Sequence, residues 1–290
     1  MNESMNPSIN SQQSAPTPDS DLERIEIELL LKGVYDWCGY DFRNYAYSSI
    51  KRRIWYRVYE EKLTSITALL EKILHDPACL QRLIASFSIN VTEMFRNPLF
   101  FLNFREKVVP LLHTYPSIRI WHAGCSTGEE VYSMAILLYE SGLYEKTKIY
   151  ATDMNTNVLH TAKSGVFPLK SMKKYTNNYL QAGGERAFSD YYTVTKKGVK
   201  FHPFLTKNIV FAQHNLVTDR SFNEFHVILC RNVLIYFNKP LQKKVHELFY
   251  ESLGMFGILG LGDKESIYYT DMTNCYEEIS GNYKLYKKIK

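Results

Sequence analysis

The sequence predicts an α/β protein: a small all-helical N-terminal domain, then an open α/β-sheet domain with a small antiparallel β-subdomain inserted. Three observations lead there. Ile118 to Trp121 is an apolar, β-branched and aromatic run that passes through Ala123, Gly124, Cys125, Ser126, Thr127 and Gly128. A helical pattern follows through Val131, Met134, Ala135, Leu137 and Leu138. This is strand, tight glycine turn and helix, the opening unit of an open sheet whose ligands bind at the carboxyl end of the strand. An ordinary βα turn is the plainer alternative, because short glycine motifs are weak signals. The second observation is the run of helical patterns before this unit. The third is the recurrence of short apolar runs after it.

Taken in order, residues 1–20 hold Asn, Ser, Gln and Pro with almost no large apolar side chains, the composition of a disordered tail. In the helical domain, 21–89, Ile25, Ile27, Leu29, Leu30 and Val34 lead into Gly39. Further helices are expected over about 48–61, 65–76 and 77–87. Residues 90–116 form a linker and connecting helix, with Pro98 suited to the start of a helix over about 99–112. Ahead of it Asn90, Thr92 and Arg96 are interleaved with Val91, Met94 and Phe95. That density of side-chain donors suits a pocket wall better than a plain linker.

The α/β domain spans 117–290. A second strand, Lys148 to Thr152, ends in Asp153, and a helix over about 156–163 ends at Gly165. Strands recur at about 209–213, 227–230, 258–261 and 283–288. An insertion lies between them at about 168–207. Its end, YYTVTKKGVKFHPF, alternates like a hairpin with a turn at Gly198. It reads as a partner-binding subdomain with an open edge strand, or equally as a lid.

Composition bounds the function. With 290 residues, one large or two smaller domains are expected. A net charge of +5 is too mild to argue for nucleic acid. The five cysteines (Cys38, Cys79, Cys125, Cys230 and Cys275) are odd in number and scattered without a C-x-x-C pair. That disfavours a disulfide framework or a zinc site, so no metal is expected, and it suits a reducing cytoplasm. No apolar run approaches the roughly 20 residues of a membrane span, and no secretory signal is visible.

The glycine turn also limits the ligand. A dinucleotide site wants G-x-G-x-x-G before a helix N-terminus. Here Gly124 and Gly128 are four apart and two glutamates, Glu129 and Glu130, follow at once. Carboxylates there repel a pyrophosphate but suit a helix start and a cationic ligand. No Gly-Lys-Ser/Thr follows, which excludes a P-loop. Asp153 at the second strand's end is placed for ribose hydroxyls. A nucleoside with positive charge and no phosphate satisfies both features, and S-adenosylmethionine (SAM) is the obvious candidate.

Other constellations stand apart from the turn. Lys51, Arg52, Arg53 and Arg57 accompany Trp55 and Tyr56 on one helix, where Arg53 and Arg57 share a face. This is either a solvated basic face with an aromatic core stripe or a docking surface for an acidic partner. It has no recognisable nucleic-acid motif. Asn215 in His214-Asn215-Leu216 closes a strand, where its amide could read an adenine edge. Arg231, Asn232 and Tyr236 follow another strand, where open sheets place their chemistry.

With these residues assembled, the chain resembles the CheR-type chemoreceptor glutamate methyltransferases, from about residue 21 to the C-terminus. The motifs are N-V-T-E-M-F-R (90–96), G-C-S-T-G-E-E (124–130), A-T-D (151–153), H-N-L (214–216) and C-R-N-V-L-I-Y-F (230–237). The resemblance implies a helical domain, a linker and a SAM-dependent, Rossmann-like methyltransferase domain with an inserted β-subdomain. It implies methyl transfer from SAM to receptor glutamate carboxylates, with S-adenosylhomocysteine as product, in the cytoplasm, as part of chemotaxis adaptation. By resemblance, Asn90, Thr92, Arg96, Glu129, Asp153, Asn215, Leu216, Arg231 and Asn232 line the cofactor site. Arg96 and Tyr236 face the reacting centre, and Lys51, Arg52, Arg53 and Arg57 meet the acidic methylation helices of a receptor cytoplasmic domain. No nucleic acid and no membrane insertion are expected, and a monomer is the default. A methyltransferase with another substrate, or a non-catalytic SAM-binding signalling module, are the alternatives.

Overall fold

The structure, a computed structural model, describes residues 18–87, 91–268 and 270–290. The expectation for the tail therefore lies largely outside the described residues. The chain divides into two compact units.

The first unit comprises residues up to 43 together with 51–81. Its helices are α1 (Pro18–Cys38), most of α2 (Tyr47–Glu60), α3 (Ile66–His75) and the start of α4 (Pro77–Phe87). Ile27, Leu30, Leu31 and Val34 recur at i, i+3, i+4 and i+7 on α1 and are buried, as are Ile54 and Val58, and Ile66, Leu69 and Ile73. Ser65 caps α3, its hydroxyl accepting the Ala68 N–H at 3.1 Å. The four helices expected from the sequence are all present.

The second unit holds residues 44–50 and 82–290. Strands β1 (Ile118–Ala123), β2 (Thr147–Asp153), β6 (Ile209–Gln213), β7 (Phe225–Cys230), β8 (Leu253–Leu261), β9 (Tyr276–Ser280) and β10 (Leu285–Lys288) form one seven-stranded sheet, ordered β6-β2-β1-β7-β8-β10-β9. The first five in that order are parallel, and β10 is antiparallel to both neighbours. Ile120 lies opposite Ile149 on one side and Val227 on the other. Alternate residues feed two core layers. Ile120 and Leu229 join one with Val131 and Met134 of α7 (Glu129–Glu140); Trp121 and Ile228 join the other with Leu241 and Val245 of α10 (Lys239–Ser252). Strands covered on both faces read as near-continuous apolar runs, which is why β1 and β7 were visible in the sequence. From β1 the chain adds β2 and β6 on one side and then returns to add β7 and β8 on the other, and a crevice opens at such a switch point beyond the strand ends.

The structure departs from the sequence reading in several places, among them the unforeseen helix α10 and a β8 that starts at Leu253 rather than about 258. The helix expected over 99–112 is α5 (Pro98–Asn103), a π-helical turn (Phe104–Val108) and α6 (Val109–His113). Pro110, which has no N–H to donate to the preceding turn, accounts for the break. Strand β9 was not foreseen. The last strand starts at Leu285, after a 3-10 turn and Lys284 at φ 54°. The insertion carries an unforeseen helix, α9 (Met172–Gln181), between α8 (Thr156–Ser164) and the hairpin. The hairpin is as expected: β4 (Tyr192–Thr195) pairs with β5 (Gly198–Phe201), with β3 (Val166–Phe167) on the other side of β5. Gly198 has φ 132°, and a Cβ there would sit 2.5 Å from the Phe167 carbonyl oxygen. Among the described residues no helix is long and apolar enough to cross a membrane.

Candidate functional site

A cleft of about 910 Å³, counted with its open mouth, lies past the carboxyl ends of β1, β2, β6 and β7. Its floor begins with the glycine turn. The N–H groups of Gly124 and Cys125 both donate to the Thr152 carbonyl, at 2.9 and 2.8 Å, so the turn is pinned across β2. Gly124 has φ 79°, and a Cβ on it would lie 2.6 Å from Val233, so the turn and the loop after β7 touch at this point.

The two glutamates that open α7 part company. Adjacent helical residues point about 100° apart. Glu130 lines the cleft; Glu129, expected there, does not. Glu129 is buried beside Tyr175 and accepts a hydrogen bond from the Thr127 hydroxyl at 2.6 Å. Burial raises its carboxyl above the usual range, and the Thr127 bond offsets this only partly. Glu130 has Nδ1 of His122 at 3.0 Å on one oxygen and accepts from Nη1 of Arg231 at 2.9 Å on the other. Burial works against its charge, but His122 and Arg231 outweigh burial and hold the carboxyl below its ordinary value.

Asp153, at the end of β2, lines the cleft. Its oxygens accept from the N–H of Ser126 at 2.9 Å and of Asn155 at 3.0 Å. Burial nevertheless raises its carboxyl, against those backbone donors. Past β6, the Asn215 side-chain oxygen accepts the Val217 N–H at 3.0 Å, which leaves its amide hydrogens and a second lone pair on that oxygen to serve a ligand. Leu216 is buried beside it, and both line the cleft. So does His214, whose buried Nδ1 has no hydrogen-bond partner.

The opposite wall is the segment after α4. Thr92 and Arg96 line the cleft; Asn90 lies outside the described residues. The Arg96 Nη1 donates to the Val91 carbonyl at 3.1 Å. Phe95 and Asn97 both take left-handed backbone, φ 51° and 57°. The Phe95 N–H donates to the Ser133 hydroxyl at 2.8 Å. Arg231 donates to the Arg96 carbonyl at 3.0 Å and the Asn97 side chain at 3.1 Å, and its guanidinium carbon lies 4.0 Å from the centre of the Phe100 ring. Arg231 borders the cleft, but its charge is committed to Glu130 and this segment.

One residue that organises the site was not foreseen. Glu265 is buried and accepts the N–H groups of Asn232, Val233, Leu234 and Gly262 at 2.9, 2.8, 2.7 and 2.7 Å. It fixes the loop after β7, including Asn232 at φ 61°. The only sequence signal was an acid soon after a buried strand, which is ordinary by itself. Tyr236, at the end of that loop, lines the cleft, and its carbonyl accepts the Ala46 N–H at 2.8 Å. Cys125 also borders the cleft, with burial pushing its thiol well above the ordinary value. Among the described residues no cluster of His, Cys, Asp and Glu could hold a metal ion.

The basic helix α2 is less open than expected. Lys51 pairs with Glu23, and Arg57, 14% exposed, pairs with Glu61 at 3.5 Å. Arg52 is exposed and Arg53 half-buried. The aromatic core stripe is not found: Trp55, Tyr56 and Tyr59 are exposed at 39%, 55% and 79%.

A mostly parallel sheet with its glycine turn, its strand-end acid and a cleft at the switch point defines a nucleoside-binding α/β protein of the methyltransferase type. Residues 25–88 match the all-alpha domain of the CheR methyltransferases and residues 90–284 their SAM-binding domain; the chain belongs to this family and is a SAM-dependent methyltransferase. Cher3 of Pseudomonas putida is 48% identical over 264 residues, covering 91% of this chain and 97% of that one. A chemotaxis protein methyltransferase of Listeria monocytogenes is 30% identical over 233 residues, covering 79% and 85%. An uncharacterized 104.1 kDa protein of Rhodobacter capsulatus is 29% identical over 260 residues, 86% of this chain but only 26% of that longer protein.

The cleft suits the family's cofactor on its own terms. It offers a buried acid at Asp153, apolar surface at Leu216, and buried polar atoms without partners at His214 Nδ1 and Asn232 Oδ1.

Proposed function

We propose that this chain transfers the methyl group of SAM to glutamate carboxylates on the cytoplasmic domain of chemoreceptors, giving methyl esters in chemotaxis adaptation. The reading rests above all on Arg96 and Tyr236, which line the same cleft as Asp153 and the glycine turn. The names of relatives such as the Listeria protein support the pathway. On this reading the enzyme works in the cytoplasm as a monomer, and 21–89, 90–116 and 117–290 serve as docking, linking and catalytic parts.

Bound SAM supplies an electrophilic methyl on a sulfonium. Asp153 holds ribose hydroxyls, while Asn215 and Leu216 meet the adenine. Thr92, Glu130, Arg231 and Asn232 complete the walls, with Glu130 in the role expected of Glu129. A substrate glutamate is already ionised near neutral pH, its ordinary pKa being about 4.3, so no general base is needed. Cys125, its thiol raised by burial, is no nucleophile, which favours direct transfer. Arg96 orients the incoming carboxylate without pairing so tightly that it quenches the attack, and Tyr236 positions it by a hydrogen bond. Holding the reacting atoms in line can lower the barrier by several kcal/mol, and a dry cleft favours a step that neutralises charge. On α2, exposed Arg52 meets acidic receptor segments more readily than Lys51 and Arg57, which are engaged with Glu23 and Glu61.

The test has two stages. Calorimetric titration with S-adenosylhomocysteine should show binding, weakened about 10- to 100-fold in Asp153→Ala by loss of charge-assisted hydrogen bonds. Undiminished affinity in that variant overturns the ribose assignment. Labelled methyl should then pass to receptor cytoplasmic fragments as a base-labile ester. Binding without transfer to any receptor fragment would favour the non-catalytic module instead.

A further inference from the structure

The inserted subdomain packs against the segments that carry the cleft-lining residues through a helix that the sequence did not reveal. Lys174, Tyr175, Asn178 and Tyr179 of α9 recur at helical spacing, so they share one side. Each meets a residue that does not itself line the cleft but belongs to a segment carrying the cleft-lining Thr92, Arg96 or Glu130. Lys174 pairs with Glu93. Tyr175 is buried beside Glu129, whose charge helps burial push the Tyr175 hydroxyl up to about 12; Glu129 is the first residue of α7 and the neighbour of cleft-lining Glu130. The Asn178 amide donates to the Met94 carbonyl at 2.9 Å, with Asn178 and Met94 both buried. The Tyr179 ring stands edge-on to Phe95, centroids 5.3 Å apart.

The segment so held is strained. Phe95 and Asn97 sit at positive φ on either side of Arg96. For a bulky side chain such as Phe this conformation persists only where the surroundings over-determine it. Asn178 supplies one such restraint, since without it the Met94 carbonyl would be buried without that partner. Tyr175 acts at the start of α7, where Glu129 accepts the hydroxyl of Thr127 from the glycine turn.

We infer that α9 of the insertion is part of the cofactor site, with Asn178 and Tyr175 as positioning residues that set Thr92, Arg96 and Glu130 through the Met94 carbonyl and Glu129. This rests on the cofactor reading of the cleft. It gives the insertion a role in cofactor binding separate from anything its hairpin docks. The competing view is that these contacts only fasten the insertion to the sheet unit. That view predicts a lower melting temperature with unchanged affinity in the folded molecules.

The experiment compares the full chain with Asn178→Ala, Tyr175→Phe and the exposed control Asn177→Ala, each titrated with S-adenosylhomocysteine well below its melting point. Loss of one enclosed hydrogen bond should weaken binding about 3- to 10-fold in Asn178→Ala and by a smaller factor in Tyr175→Phe, with the control unchanged. If Asn178→Ala does not fold, Tyr175→Phe, which removes only one hydroxyl, decides alone. Affinity equal to that of the unaltered chain, whatever the melting temperature, overturns the inference and leaves the cofactor reading standing. No binding by the unaltered chain overturns both.

Discussion

Two sets of charged side chains use the same residue types to different ends. On α1, Arg24 and Glu28 lie 2.9 Å apart with side chains 69% and 63% exposed, and Lys32 meets Asp36 in the same i, i+4 manner. In the sheet unit, Arg231 meets Glu130 at the same 2.9 Å, but its side chain is 1% exposed and that of Glu130 17%. Distance does not separate the pairs; water does. The exposed pairs are screened and replaceable. The enclosed pair gave up its hydration on folding, and the cleft wall, through the Arg231 bonds to Arg96 and Asn97, depends on it.

The largest effect follows from breaking the enclosed pair. Glu130→Gln leaves the Arg231 guanidinium buried without a counter-charge, which should cost about 3–5 kcal/mol in urea unfolding. Its pH dependence has a definite sign. A carboxyl held below its ordinary value stabilises the fold fully above the unfolded-state range near 4.3, and that stabilisation is lost as pH falls through the depressed value. The gap between the unaltered chain and the variant should therefore narrow in acid. A gap of under 1 kcal/mol at neutral pH would show that enclosure does not set the pair apart.

Glu265→Gln sharpens the same contrast with a carboxylate that has no charged partner. Its oxygens accept four backbone N–H groups. An amide can accept on one oxygen only and presents N–H to N–H on the other side. The expected loss is about 1–3 kcal/mol, with weaker S-adenosylhomocysteine binding because the Asn232–Leu234 loop borders the cleft. Unchanged stability would mean the loop holds itself.

How much of this was legible follows from what kind of signal each residue gives. The β1–turn–α7 unit was legible because strand, glycine and helix each leave a periodic or steric mark. Seven expected site residues besides Thr92, namely Arg96, Asp153, Asn215, Leu216, Arg231, Asn232 and Tyr236, line one cleft with it. Strand ends converge at a switch point, so residues just past them are brought together whatever their sequence separation. The choice between Glu129 and Glu130 was not legible, because adjacent helical residues differ only by a rotation that the packing of Tyr175 and Arg231 decides. Glu265 has no period and no motif; its meaning lies in four N–H groups from two loops. Arg57 looked like a surface cation, but its side chain is largely buried and paired with Glu61. Helix α9 was hidden because MKKYTNNYLQ is rich in polar residues, and its buried Met172, Tyr175 and Tyr179 are few.

The smallest effect tests the other side of the comparison. Arg24→Ala, Glu28→Ala and the double variant form a cycle on an exposed i, i+4 pair. The coupling should be about 0.3–0.5 kcal/mol and should shrink as salt is raised, since side chains this exposed interact through screened solvent. Both orderings matter. Glutamate here follows arginine, so the pair opposes the helix macrodipole and the lower end of that range is expected. A coupling above 1 kcal/mol that resisted salt would break the comparison, because an exposed pair would then be as strong as exposure is held to forbid, and enclosure could no longer explain why Glu130 and Arg231 matter to the cleft.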